Sequence, residues 1–571
     1  MNANHEPPEL AAWGLPPDEI ERLGARLGSF YERFRRHLST TTRDTSAYGL
    51  AYLSGLLRLD TERTMANIGR QTGVKPQNMQ HFISNSPWAA AGLLGAIRDE
   101  IKRHPVFQDD AVLVLDESAE QKTSAATVGA KRQHNGRLGK IEMSQVGVFL
   151  ALVTPQVSTW IAGELFLPED WFDATFAERR QQVGLPDTRT FQTKPALGWQ
   201  MIQRVKAQGV PFVAVAMDDL YGRNAQLRQQ LAQADIEYYG DVPANTHVYL
   251  TRPQITYPMG KRGQPRKRPE VTPKAHEVRE LLEHPTLEQA LITLRPHQRG
   301  LLQARFARRR VWTLHEGQPR QEWLLIRQDG AYITYVLSNA ALDISLVTMA
   351  QRKSHRYFIE RSNQDAKSEL GWDEFQATKY QAWEHQLALT ILASWFVAET
   401  RLDWATRFAR DPNLLSQYEV EVLPLLSVSN VRELLRAALP LPQLSPQQAA
   451  VLVVSIWSTG PARAARDCDG RAAPRAVLKC DIADIGNLRQ SVCIHQIAQA
   501  VVVKFRHLIP KTHCSHQPPL HGILGHDRGL GARLTPGHAT GQYGNFDGPV
   551  PILVAAEYGI TQRQLYILIP G

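Results

Sequence analysis

The stretch 111-AVLVLDES-118 decides the fold predicted for this chain. Its unbroken aliphatic run is typical of a strand buried on both faces of a sheet, and the run ends at Asp116. A polar, glycine-rich segment follows over 129–145. Two strands are predicted next, at 146–153 and 157–167. They are followed by a helix (195–207), a strand (210–217), a second helix (221–233) and a last strand (236–242).

This order, with three strands first and two helix–strand pairs after them, is that of a ribonuclease H-like core within the α/β (α+β) class. The strand at 210–217 ends at Asp218 and Asp219, so carboxylates stand at the ends of two buried strands. A single aspartate at a strand end is more often a turn former or a helix cap. Two of them on adjacent strands must either be solvated at the sheet edge or hold a cation.

A second decisive stretch is 353-KSHRYFIERSNQDAKSELG-371, which is predicted to form a helix. At about 100° per residue, Arg356 and Lys367 lie within roughly 40° of Glu360 around the helix axis. One carboxylate would then sit between two permanent cations. An apolar stripe would seat this helix on a core, and it consists of Ile359, Ala366 and Leu370. The simpler interpretation is a surface ion pair at i,i+4 spacing, which is the commoner case.

Composition narrows the classes of function. At 571 residues the chain is long enough for roughly three or four domains. Its 65 Lys and Arg against 56 Asp and Glu leave a net charge of +9, which suits a polyanionic partner. No segment approaches the ~20 apolar residues of a membrane span, and the polar N-terminus carries no secretory signal. Residues 1–467 contain no cysteine, which excludes a disulfide framework there and fits a reducing, cytoplasmic setting.

A helix-turn-helix pattern is predicted over 61–84. Thr61 would cap the first helix, Gly73 would make the turn and Pro76 would open the second helix. The second helix would expose polar side chains that can read base edges in a major groove, namely Gln77, Asn78, Gln80 and His81. An ordinary helical hairpin gives the same pattern and is slightly favoured by the pattern alone.

Residues 242–340 interrupt the core pattern. A basic, proline-containing loop over 259–271 comes first, and a helix is predicted near 276–292. Three strands with tight turns follow, over 311–315, 323–327 and 332–337. The arginine run 308–310 lies close to Trp312, and cations beside aromatic rings suit a surface that tracks a nucleic-acid backbone. Plain packing explains this composition equally well.

Taken in order, these motifs resemble those of DDE transposases of bacterial insertion sequences, in the group with a Tyr-x2-Arg-x3-Glu-x6-Lys signature. Arg356, Glu360 and Lys367 match the signature, whereas Lys353 stands where that family has its tyrosine. The family's second aspartate stands three residues before Tyr-Gly, which selects Asp218. Further matching segments are 80-QHFISNSPW-88, 136-GRLGKIEMSQVGV-148, 192-QTKP-195 and 218-DDLYG-222.

The resemblance implies that Asp116, Asp218 and Glu360 are catalytic and hold two Mg²⁺ ions, with Mn²⁺ as an alternative. It also implies cleavage at the ends of a mobile element, followed by attack of the freed 3′-hydroxyl on target DNA. The partners would be double-stranded DNA, at the element ends and the target, and further copies of the chain on that DNA, in the bacterial cytoplasm at the nucleoid. The residues expected to contact DNA are Arg356, Lys367, Lys353, Lys194, Arg262, Lys267, Trp312, Gln77 and Asn78.

Two other functions stay open at this point. One is a metal-dependent DNA nuclease with the same core that lacks strand transfer. The other is an inactive remnant or repressor that binds DNA with its carboxylates unused. Inverted repeats flanking the coding region would favour the transposase.

Six domains are predicted along the chain. They are a helical DNA-binding domain (1–105), the first part of the core (106–241), a basic β-rich insertion (242–340), the second part of the core with the Glu360 helix (341–410), C-terminal helices (411–465) and an atypical tail (466–571). All four cysteines lie in the tail, but no CxxC pair is present, so no structural zinc site is expected. The tail is rich in Gly and Pro, and we expect it to be poorly structured and to carry no catalysis.

Overall fold

The computed structural model describes residues 10–135, 139–257, 270–297, 300–418, 422–423 and 425–441. All of them belong to one compact unit, Met1–Ser458. The tail at 466–571 and most of the basic loop at 259–271 lie outside the described residues. No helix in the described part of the chain is long and apolar enough to cross a membrane.

The described chain is a mixture of helices and strands, as the α+β prediction requires. The α-helices are α1 Pro17–Glu21, α2 Leu23–Glu32, α3 Ser46–Arg58, α4 Met65–Thr72, α5 Pro76–Ser84, α6 Ala90–Ile101, α7 Ala177–Val183, α8 Lys194–Ala207, α9 Asp219–Gly222, α10 Ala225–Gln233, α11 Leu346–Ser354, α12 Tyr357–Gln364, α13 Tyr380–Arg407, α14 Asn413–Gln417 and α15 Val428–Ala438. The strands are β1 Val112–Gln121, β2 Lys131–Asn135, β3 Lys140–Val153, β4 Ser158–Phe166, β5 Ala214–Met217, β6 Tyr238–Val242, β7 His247–Val248, β8 Gln254–Thr256, β9 Glu270–Thr272, β10 His276–Glu277, β11 Glu288–His297, β12 Gly300–His315, β13 Gln318–Asp329 and β14 Tyr332–Ser338.

A ten-stranded sheet organises the described chain. Its order is β11-β12-β13-β14-β6-β5-β1-β3-β2, and β4 also pairs with β3. β1 is antiparallel to β3, and β3 is antiparallel to β4, whereas β1, β5 and β6 run parallel to one another. The aliphatic residues of β1 and β5 are fully buried, because helices and loops cover both faces of the sheet at its centre.

The sheet extends further into polar sequence than the residue pattern predicts. β1 does not end at Asp116 but continues for five residues to Gln121, and β3 begins at Lys140. The polar segment 129–145 also contains β2, which pairs with the start of β3. Backbone pairing satisfies the N–H and C=O groups whatever the side chains are, so a long partner strand can hold polar residues in a ladder.

The helix predicted near 276–292 is wrong. These residues form the short strand β10, a 3-10 turn at Val278–Leu281 and the first half of β11. β11 pairs along its length with β12, and this tertiary pairing outweighs the local helical periodicity. The three strands predicted after it are present and longer, as β12 to β14. Because β14 pairs with β6, the insertion continues the core sheet.

A buried ion pair fastens the insertion to the core. Glu322 of β13 has no exposed surface, and its Oε1 accepts hydrogen bonds from Arg228 Nε at 3.1 Å and from the Tyr238 hydroxyl at 2.5 Å. Its Oε2 accepts a bond from the Thr313 hydroxyl. A buried carboxylate requires such partners, since an unpaired one would cost several kcal/mol.

The helix-turn-helix segment contains the two predicted helices and the predicted turn. Gly73 ends α4 with φ +76°, a left-handed conformation that glycine adopts without a Cβ clash. The first helix begins later than predicted, because Thr64 instead of Thr61 caps it by accepting a hydrogen bond from Asn67 N. α5 begins at Pro76 and buries one apolar side, made of Met79, Phe82 and Ile83. The long helix α13 packs against α3, α5, α6 and β4, and so joins these helices to the sheet.

Candidate active site

Asp116 and Asp218 lie side by side on neighbouring parallel strands. In the register of β1 and β5, Leu115 stands opposite Met217, and the next residue along each strand is the aspartate. Adjacent strands are about 4.8 Å apart, so the two side chains lie close together. Both are partly buried. The structure therefore brings together two of the three predicted catalytic residues.

Asp218 is also the N-cap of the short helix α9. Its Oδ1 accepts hydrogen bonds from the backbone N–H groups of Leu220 at 3.0 Å and Tyr221 at 3.3 Å. The neighbouring Asp219 is half exposed and pairs with Arg223 on the outside of the helix. The two aspartates therefore differ in environment, and Asp218 is the one that faces Asp116.

Burial and like charge disfavour ionisation of this aspartate pair. Burial, with a smaller contribution from the Asp218 charge, raises the pKa of Asp116 to about 7. Burial, followed by the charge of Glu117, raises the pKa of Asp218 to about 6. Arg356 acts in the opposite direction on both pKa values. Carboxylates that ionise at such a cost are typical of functional sites that take up a cation or a proton.

Helix α12 carries Glu360 and packs against β1, β3 and β4. Polar contacts with β4 fasten it: the Trp160 Nε1–H donates to Asn363 Oδ1 at 3.0 Å, and the Ser158 and Ser362 hydroxyls lie 2.5 Å apart. These partners stand on the side of the helix away from solvent. The Glu360 side chain is about half exposed as a result (53%).

Arg356 lies among the acidic residues of the site. Its Nη1 donates to Glu360 Oε1 at 2.6 Å, and its Nε lies 3.6 Å from Asp241 Oδ2. Although burial disfavours the cation, the carboxylates of Asp241, Asp116, Glu360 and Asp218 together raise the pKa of Arg356. The predicted pairing of Glu360 with Arg356 is confirmed, and its setting is a charged cluster instead of an isolated surface pair.

Lys367 does not flank Glu360, so this part of the helix prediction is wrong. Residues Asp365–Glu369 form a π-helical turn, which changes the rotation per residue and redirects the side chain. The buried Lys367 ammonium lies 3.0 Å from Glu120 Oε1 and donates to the Ala119 carbonyl at 3.3 Å. In this arrangement it is not accessible to a DNA phosphate.

Lys353 is likewise buried, which contradicts its prediction as a residue that contacts DNA. Its ammonium lies 2.7 Å from Asp241 Oδ1 and 3.0 Å from Oδ2. Burial lowers the pKa of Lys353, and the Asp241 charge opposes that effect. Asp241 therefore contacts both Lys353 and Arg356.

Glu117, Tyr221 and Asp241 belong to the site and were not identified from the sequence. Glu117 forms an ion pair with Lys194, a predicted DNA contact, whose Nζ lies 2.9 Å from Glu117 Oε1. Tyr221 is buried beside Glu117 and the two aspartates, and burial raises its pKa. Glu117 directly follows Asp116, but a side chain next to a strand carboxylate normally points to the other face of the sheet, so no residue pattern indicated that it belongs to the site.

The charges of the cluster fit a divalent cation. Five carboxylates (Asp116, Glu117, Asp218, Asp241 and Glu360) surround three cations (Lys194, Lys353 and Arg356), which leaves two negative charges uncompensated when all are ionised. Hard oxygen donors of this kind suit Mg²⁺ or Mn²⁺. Within the described ranges, however, no three acidic, His or Cys side chains converge as a metal site. Glu360 is held by Arg356, so only the aspartate pair is assembled.

The remaining predicted DNA contacts are spread over the molecule. Gln77 and Asn78 are exposed on α5, as predicted. Trp312 is half-buried, and the Arg252 guanidinium lies 5.7 Å from its ring centroid. Arg262 and Lys267 lie outside the described residues.

Packing accounts for much of the arginine run at 308–310. The guanidinium groups of Arg308 and Arg310 lie 4.5 and 4.9 Å from the ring centroid of Trp323, and Arg308 also pairs with Glu288 at 2.7 Å. These cations are partly buried and engaged within the sheet.

Comparisons with known proteins bear on the family resemblance. Residues 30–299 match the family model described as DDE superfamily endonuclease. This part of the chain, a little under half of its length, is therefore similar to that superfamily. The chain is 25% identical over 334 residues to a probable transposase for insertion sequence element IS701 from Microchaete diplosiphon, which covers 56% of this chain and 73% of that relative. Both matches support the resemblance to DDE transposases of insertion sequences that the residue motifs predict.

These matches support transposase or nuclease activity on DNA, and endonucleases of the DDE superfamily depend on divalent metal ions. The family-model match includes Asp116 and Asp218 but ends before Glu360.

A solved structure, the NurA nuclease from Sulfolobus solfataricus, also matches. It is 11% identical, with a TM-score of 0.21, and the match covers 48% of this chain and 86% of that one.

Proposed function

We propose that this chain is a DDE transposase, which cuts the ends of a mobile DNA element and joins the resulting 3′-hydroxyl to target DNA. Asp116, Asp218 and Glu360 would be its catalytic residues. The observation that carries the proposal is the placement of Asp116 beside Asp218 at the centre of the sheet. Helix α12, which carries Glu360, packs against β1, the strand of Asp116.

The strand order supports a ribonuclease H-like assignment of the core. Three antiparallel strands (β4, β3 and β1) are followed by two parallel ones (β5 and β6). In this arrangement the first aspartate lies on the central strand and the second follows the neighbouring parallel strand. The third carboxylate comes from a helix more than a hundred residues later in the sequence.

Asp116, Asp218 and Glu360 would hold two Mg²⁺ ions, with Mn²⁺ as an alternative. When bound, such ions activate the attacking oxygen and stabilise the leaving oxygen of a phosphodiester. Arg356 would hold a DNA phosphate next to the aspartate pair, because a guanidinium can bind two phosphate oxygens at once. For Glu360 to join the aspartates, it has to leave Arg356, and its exposed position on α12 permits that movement.

Recognition of the element ends would involve α5, whose exposed face carries Gln77 and Asn78. A helix of this kind reaches base edges when it enters a major groove. Joining two ends to one target also requires that copies of the chain assemble on the DNA. Self-association is therefore part of the proposal.

The test is a cleavage and joining assay on labelled DNA copied from the flanks of the coding region, with and without Mg²⁺. Asp116→Asn, Asp218→Asn and Glu360→Gln should each abolish product formation while DNA binding in EDTA is retained. The matched control is Asp219→Asn, which removes an exposed carboxylate next to Asp218. Cleavage without joining would assign the protein as a nuclease. Undiminished cleavage by the three variants would refute the proposed active site.

A further inference from the structure

Lys353 is buried and so does not serve as a DNA contact, and its role needs another explanation. In the family signature this position holds a tyrosine, and here a lysine is buried to 7% exposure on α11. A buried ammonium needs an acidic partner, and Lys353 finds it in Asp241 of β6. The two side chains come from elements more than a hundred residues apart.

Asp241 has a second cationic neighbour. The Arg356 Nε lies 3.6 Å from Asp241 Oδ2, while the other end of the guanidinium donates to Glu360. The Asp241 side chain is 16% exposed, and its backbone is part of β6, which pairs with β14. The guanidinium thus lies between a mostly buried carboxylate and an exposed one.

The two holders of Arg356 differ in what they can do. Glu360 is half exposed on a helix and is the proposed third catalytic carboxylate, so it has to release Arg356 to join Asp116 and Asp218. Asp241 is bound by Lys353 and has no such task. After Glu360 leaves, Asp241 would be the group that keeps the guanidinium in place.

We propose that Asp241 is a positioning residue, which orients Arg356 toward the DNA phosphate, and that Lys353 holds Asp241 for this purpose. Lys353 then acts through Asp241 and makes no contact with DNA. This inference rests on the proposed function, since it takes Arg356 as a phosphate contact.

The direction in which Asp241→Asn changes the affinity for DNA distinguishes a positioning role of Asp241 from a purely electrostatic effect. Asp241→Asn removes a negative charge near bound DNA, so electrostatics alone would raise the affinity. If Asp241 orients Arg356, the same substitution should lower the affinity by about tenfold or more, as the loss of a charge-assisted hydrogen bond would. The measurement is fluorescence anisotropy of a labelled duplex from the flank of the coding region, in EDTA. An unchanged or higher affinity would overturn the inference.

A double-mutant cycle with Arg356→Ala supplies the second readout. We expect the effect of Asp241→Asn to disappear in the Arg356→Ala background, because the same contact is already lost. An equal effect in both backgrounds would refute the positioning role. If Arg356→Ala itself leaves DNA binding unchanged, the proposed phosphate contact fails, and that failure is distinct from failure of the Asp241 role.

The double variant Asp241→Asn/Lys353→Met guards against misfolding. It removes both charges of the buried pair, so no unpaired charge is left behind. We expect it to fold and to bind DNA as weakly as Arg356→Ala, with a normal thermal unfolding midpoint. Wild-type affinity in this folded variant would overturn the proposal. A loss of affinity beyond that of Arg356→Ala would overturn it too, because Lys353 would then contact DNA directly.

Discussion

Replacing Asp116 by asparagine should change how stability depends on pH in metal-free buffer. The pKa of Asp116 is raised to about 7, whereas an aspartate in an unfolded chain has a pKa of about 3.9. Between these values the Asp116 carboxyl binds more protons in the folded than in the unfolded state, so its contribution to the free energy of unfolding falls as pH rises. Three pKa units at about 1.4 kcal/mol each give ~4 kcal/mol between pH 4 and pH 7.

The asparagine variant has no charge to develop at this position. It should therefore match the wild type near pH 4 and exceed its free energy of unfolding by up to ~4 kcal/mol at pH 8. Urea unfolding followed by tryptophan fluorescence, in EDTA, measures this difference. Asp219→Asn, which changes an exposed carboxylate, should follow the wild-type curve. A variant at Asp116 that keeps the wild-type pH slope, or is less stable than wild type at pH 8, would contradict the raised pKa of Asp116.

Three further predictions concern buried contacts in the core and beside the site. Arg228→Met leaves the buried Glu322 without its cation and should lower the free energy of unfolding by about 3–5 kcal/mol in urea titrations. Lys367→Met should lower the free energy of unfolding by a similar amount, because it leaves the buried Glu120 without this cation. It should leave the salt dependence of DNA binding unchanged, and a shallower salt slope would show that Lys367 contacts a phosphate. Gly222→Ala places a Cβ against the backbone of β6, so the thermal unfolding midpoint should fall; an unchanged midpoint would contradict this close packing.

The central strands could be predicted from the sequence because their residues are buried on both faces. Unbroken aliphatic runs at β1 and β5 leave little choice of structure, and each run leads directly to its aspartate. The adjacency of Asp116 and Asp218 followed from the strand order alone. Helix α8 was predicted almost to the residue, since Thr193 and Pro195 mark its start.

The errors lie where tertiary contacts outweigh the local pattern. The helical periodicity near 276–292 lost to strand pairing with β12. A π-helical turn redirected Lys367, and regular helical geometry could not anticipate it. Asp241 lies in a strand that was predicted, but its role depends on Lys353, over a hundred residues away, and no spacing rule connects the two.

The most direct test of the proposed active site is a crystal structure of the protein with Mn²⁺ and DNA from the flank of its coding region. Anomalous scattering would locate the metal. We expect Mn²⁺ to be bound by Asp116 and Asp218, with the Glu360 carboxylate moved from Arg356 to the metal. Mn²⁺ bound elsewhere, or a Glu360 that stays on Arg356 while DNA and metal are bound, would contradict this expectation.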